Sequence, residues 1–238
     1  MSFTSEQDLF TTVAAAYSHI IRSMGYSSKV LELINKRCNY NVHSFHGRSF
    51  HVIGETNHFS RSGVDIIHKR LVPLILAQTD SWLYLRENYD HSRQMGIAEL
   101  DLPSVVYYHE IGRILGIPTE KVFEMPNSPA TRAGIIRIRG LSATEFDQVC
   151  HILAWENLMP KQRCDPGRAI PLLSQMTSKS AQEVIKIHNS LERTTLDLDR
   201  DLIEPWNQYE KERLPELLAR HPERNNVLVV VGSAHEGI

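Results

Sequence analysis

The chain has 238 residues, 42% hydrophobic and 23% charged, with a formal net charge of −2. This is the mix of a folded globular protein rather than a disordered one, and the lack of a basic excess argues against a nucleic-acid partner. No apolar stretch approaches the roughly 20 residues of a membrane-spanning helix.

The opening MSFTSEQDLF has neither the basic region nor the apolar core of a secretory signal. A protein exported by a signal-independent route would look the same. Three cysteines, Cys38, Cys150 and Cys164, are widely spaced and form no Cys-x-x-Cys pair. Neither a thiolate zinc site nor a disulfide framework is expected, and buried or semi-buried free thiols in a reducing cytoplasm are.

Apolar residues at helical spacing (Leu9, Val13, Ala16, Ile20, Met24) predict a first helix ending at Gly25, with a second from Ser28. Together they read as a helical N-terminal cap over residues 1–40. SFHVIG, closed by Gly54, reads as a buried strand. A helix follows, with Ser60 or Ser62 as N-cap and a kink at Pro73. SWLYLREN is the next strand, LPSVVYYHEIGRILG a helix stopping at Gly116, and TEKVFEM a third strand.

AGIIRIRG reads as a further strand, with Arg137 and Arg139 alternating along it. Two capping boxes, Ser142 with Glu145 and Ser180 with Glu183, open helices. The second begins a helical region reaching toward Arg220, with Pro205 and Pro215 expected to interrupt it. The β-branched run in NNVLVVVGSAH is the clearest buried strand.

Strands alternating with helices indicate an α/β fold. Its expected form is a central, mainly parallel sheet flanked by helices, with N-terminal helices and a helical insertion over 142–220 before the last strand. The whole chain reads as one domain.

In open parallel sheets, ligands sit outside the carboxyl ends of the strands. The ionisable residues just after strands are therefore the candidates. The first strand supplies Glu55 and His58, the second Glu87 beside Arg86, the third Glu124, and the last His235 with Glu236. A carboxylate within reach of a histidine sets its tautomer and raises its basicity, so that it can deprotonate water. A second histidine can protonate a leaving group or stabilise developing charge. The same Glu55, His58, Glu87 and His235 also suit a divalent metal such as zinc, manganese or iron.

The plainer reading is that strand-to-helix loops carry Glu, Asn and Ser to cap helices; Asn57 and Ser60 are read that way. Arg86, Glu124 and Arg137 are candidates for substrate contact, Arg137 as a carboxylate or phosphate clamp or equally as part of a solvated edge strand. His43, His46 and His51 lie close together; His43 and His46 have a spacing a metal site could use, but without a helix or further ligands they read as a wet loop at the far end of the first strand. Trp155, Trp206 and Tyr209 read as packing aromatics rather than a ligand wall.

IGETNH resembles the Gly-Glu-x-x-His opening of the erythromycin esterase/ChaN-like superfamily, which also takes in the TraB and Tiki proteins. There a first strand ends in this motif, a later strand carries another glutamate, and a last strand ends in Gly-x-x-His. Glu55 and His58 match the first motif, Glu87 lies 29 residues after His58, and VVVGSAHEG supplies Gly232 and His235. Family members continue past the last histidine, whereas here three residues follow it.

The resemblance implies a hydrolase acting on an ester, lactone or peptide bond, with His58 as general base and Glu55, Glu87 and His235 completing the site. The esterase-like branch needs no cofactor, Tiki-like members are metal-dependent peptidases, and ChaN-like members bind haem. The alternative is thus a non-catalytic haem or metal carrier. The expected partner is a small-molecule or peptide substrate.

Overall fold

NVLVVVG has no polar side to turn outward, so it needs a neighbour on each edge and cover on both faces. The computed structural model gives it the neighbours. It describes residues 38–55, 72, 81–87, 116–158 and 160–235. The chain divides into two compact units: described residues up to 122 together with 214–235, and residues 123–213.

The first unit is a five-stranded sheet. Its strands are β1 (Cys38–Phe45), β2 (Arg48–Glu55), β3 (Trp82–Glu87), β4 (Thr119–Val122) and β5 (Asn226–Gly232), in the order β1-β2-β5-β3-β4. β5 pairs in parallel with β2 on one side and β3 on the other, and β3 in parallel with β4. Val227 to Val231 are all buried, as are Val52, Ile53, Leu83 and Leu85. Each such side chain withdrawn from water contributes about 1.5–3 kcal/mol. The α/β fold with a mainly parallel sheet is as expected.

β1 is the strand the sequence reading missed. It pairs antiparallel with β2 from Cys38↔Glu55 to Phe45↔Arg48, leaving His46 and Gly47 as a two-residue turn. Both have positive φ, +49° and +75°, as the tight hairpin turn that matches strand twist requires. The expected wet loop is therefore a hairpin. His43 stacks on Phe50 with ring centroids 5.6 Å apart, and the turn lies at the opposite end of β2 from Glu55.

The second unit is helical: α1 (Pro129–Arg139), α2 (Ala143–Glu156), α3 (Pro160–Arg163), α4 (Pro166–Thr177), α5 (Ala181–Leu191) and the first part of α6 (Glu204–Ala219), entered through a wide π turn at Asp199–Ile203. Both capping boxes form as expected, on α2 and α5.

AGIIRIRG is not a strand but most of α1, which corrects the sequence reading. Pro129 occupies the first turn and Gly140 ends the helix at φ +73°. Gly134 faces the Tyr209 ring so closely that a Cβ there would lie 2.1 Å from it. The break in the later helical region falls between Leu191 and Asp199 rather than at a proline. Pro205 comes just after the π turn Asp199–Ile203 without breaking the helix, and α6 continues through Pro215. Among the described residues no helix is long and apolar enough to cross a membrane. The expected N-terminal helices and the helices over 60–78 and 102–115 lie outside the described residues, apart from Val72.

Within the first unit, Arg48 at the start of β2 closes the end of α6. Its Nη1 donates to the His221 carbonyl at 2.9 Å and its Nη2 to the Leu218 carbonyl at 2.8 Å. A cation on the last carbonyls of a helix satisfies acceptors that have no partner in the helix and complements its dipole. Arg48→Met, which keeps the stem but not the donors, is expected to lower unfolding free energy by about 1–3 kcal/mol, read as a lower urea midpoint with an unchanged slope.

Candidate active site at the carboxyl ends of three parallel strands

Because β2, β5 and β3 are parallel neighbours, their carboxyl ends lie side by side along one edge of the sheet. Glu55 is the last residue of β2 and stands in register with Gly232, the last residue of β5. Glu87 is the last residue of β3. His235 closes a single 3₁₀ turn, Ser233–His235, directly after β5, and is buried at 4% exposure. Three of the four expected catalytic positions thus share one sheet edge. The fourth, His58, and the side chain of Glu55 lie outside the described residues.

Two polar contacts close the end of β3. Arg86, buried at 4% exposure, donates from Nη1 to the main-chain carbonyl of Glu87 at 3.2 Å. Glu87 Oε2 accepts the main-chain N–H of Gly232 at 2.7 Å. A hydrogen bond to an ionised carboxylate is worth about 1.5–3 kcal/mol. The Glu87 carboxylate is therefore committed to the exit of β5, three residues before His235.

The remaining expected substrate contacts fall in the helical unit. Glu124 follows β4, and its Oε2 accepts a long 3.5 Å bond from Ser128, the residue preceding α1. The turn it belongs to is strained, with Phe123 at φ +54°. The buried Glu210 carboxylate accepts a bond from the Phe123 main chain, and burial raises its pKa. Arg137 lies on α1 instead of a strand, is 61% exposed and pairs with Glu212, so the strand-borne clamp is not formed. Trp206 packs edge-on to Phe123 at 5.7 Å, as expected of a core aromatic. A polar groove of about 530 Å³ beside Gln148, Lys186, Ser190 and Arg193 has no sequence signal that points to it.

Among the described residues no three histidine, cysteine, aspartate or glutamate side chains gather as a metal site requires. Cys150 and Cys164 are free thiols. Cys164 is exposed, contrary to the expectation of burial, while burial pushes the Cys150 thiol up to about 12. No family model matches the chain, and no curated protein or solved structure matches it.

Two histidines away from the sheet edge are perturbed. His51, inside β2, is buried against Trp82 with its Nε2 3.0 Å from Ser49 Oγ. Burial, and then the proximity of His43, lowers its pKa to about 4. His151 on α2 is fully buried, and among the described residues neither ring nitrogen has a hydrogen-bond partner. Burial, and then His188, lowers it to about 4 as well. Perturbed groups often mark functional sites, but here the cause is enclosure in the packing.

Both rings are neutral in the fold and protonate more readily once unfolded. Their contribution to stability is full above about 6.5 and is lost as pH falls toward about 4. The urea midpoint is expected to drop between pH 7 and pH 4.5, and to drop less in His151→Leu.

Proposed function

We propose that the protein is a hydrolase that uses a glutamate–histidine pair to activate water for cleavage of an ester, lactone or peptide bond. The observation that carries this reading is that Glu55, Glu87 and His235 occupy the ends of three adjacent parallel strands. Such an edge is where an α/β sheet binds its ligand. The spacing of Gly54-Glu55-x-x-His58 and Gly232-x-x-His235, with its resemblance to the erythromycin esterase/ChaN-like superfamily, adds the chemistry.

In this reading Glu55 orients the His58 ring and raises its basicity. His58 takes a proton from water, whose oxygen attacks the carbonyl carbon of the scissile bond. The carbonyl electrons move to oxygen and return as the bond to the leaving group breaks. His235, enclosed beside β5, supplies the proton that the departing alcohol or amine requires. The free thiols of Cys150 and Cys164 support a reducing, cytoplasmic setting.

The test is a purified wild type against His58→Ala and His235→Ala on a panel of esters, lactones and peptides. Loss of a general acid or base is expected to cost about 10²–10⁴-fold in kcat. A wild type that cleaves a panel member while both variants keep its full rate overturns the assignment. So does a wild type inert on the whole panel that binds haem or metal through these histidines, which would mark it as a carrier.

A further inference from the structure

The pairing of β5 with β2 runs on to Glu55↔Gly232, whereas its pairing with β3 stops at Arg86↔Val230. The Gly232 N–H lies two residues past that last β3 partner. The acceptor it finds is the side chain of the next β3 residue, Glu87 Oε2, at 2.7 Å. The side chain thus extends the ladder by one step, from strand to strand exit. Immediately beyond it the chain turns through Ser233–His235, and His235 is buried.

We propose that Glu87 is a positioning residue. Its carboxylate holds the exit of β5 through the Gly232 amide, and thereby sets where His235 is presented at the site. It does not itself carry the proton. This rests on the hydrolase reading for the importance of His235, but the contact and its consequence stand without it.

Two properties of Glu87 are separable by substitution. Glu87→Gln keeps the length and a carbonyl acceptor for the amide and loses the charge. Glu87→Asp keeps the charge and is one methylene too short to reach. A positioning role depends on acceptance at that distance, so the glutamine variant is the one that preserves function.

The experiment measures amide hydrogen exchange at Gly232 and the His235 ring resonances in the full chain by NMR, with kcat and KM on any substrate the wild type cleaves. Glu87→Asp and Glu87→Ala are expected to speed Gly232 exchange by about 10-fold or more relative to neighbouring β5 amides and to move the His235 ring signals. Glu87→Gln leaves both close to wild type and retains most of kcat.

A stabilising contact with no bearing on the site would lower the unfolding midpoint yet leave the His235 resonances of the folded protein unmoved; that result overturns the proposal. Gly232 exchange unchanged in Glu87→Asp also overturns it. So does a Glu87→Gln variant with wild-type Gly232 protection whose kcat falls as far as that of Glu87→Ala, since the charge would then be acting directly. If the wild type cleaves nothing, the hydrolase reading fails by its own assay, and the Gly232 and His235 measurements still decide the role of Glu87.

Discussion

The organisation of the sheet depends on one constraint, the burial of β5. A strand made of Val227 to Val231 with a leucine in place of one valine has apolar side chains on both faces, so neither face can be left to water. Its main-chain groups must be paired on both edges, because an unpaired buried amide or carbonyl forfeits a hydrogen bond's worth of stability. Only an interior place between two other strands meets both demands. β2 and β3 take those places in parallel, and their carboxyl ends consequently flank that of β5. The candidate site follows from how a hydrophobic run satisfies its backbone.

Where regular pairing stops, side chains take over the main-chain groups. Glu87 accepts the Gly232 amide at the exit of β5. Arg48 donates to the Leu218 carbonyl in the last turn of α6 and to the His221 carbonyl just past it. In the helical unit Glu210 accepts from the main chain of the strained Phe123. Also there, the fully buried Asp201 accepts the Asp197 amide at 2.7 Å. Arg200 and Arg139 pair with Asp201, the Arg200 guanidinium foremost in holding it well below the usual carboxylate range. Charged groups at such ends are tolerated because each has partners that replace water. His151 differs, a buried imidazole with neither nitrogen bonded among the described residues; burial, with His188 beside it, keeps it neutral.

The sequence features that proved reliable are those whose cause is local. The Ser142/Glu145 and Ser180/Glu183 boxes form because every donor and acceptor lies within one turn. The runs ending at Glu55, Glu87 and Gly232 are strands because their apolar residues are too continuous for a half-solvated element. One failure overrides local signals and the other has a non-local cause. AGIIRIRG alternates like a strand, but Pro129 and Gly140 bracket it as a helix, and Gly134 is needed where Tyr209 packs against it. β1 carries no local strand signal because its polar residues hide the alternation and its turn is His-Gly rather than Asn-Gly. It is a strand chiefly because β2 offers it an edge.

By itself the sequence determined which residues end strands: Glu55, Glu87 and the Gly232–His235 segment follow directly from where each apolar run stops. The tertiary structure alone decided that these ends are neighbours. β5 lies between β2 and β3 although more than a hundred residues separate it from either, and no local pattern encodes such an order. Tertiary structure also decided that Glu87 meets the Gly232 amide, a bond between residues 145 apart. The reason is physical: periodicity reports what a segment must bury, whereas adjacency is settled when distant segments compete for the same edges.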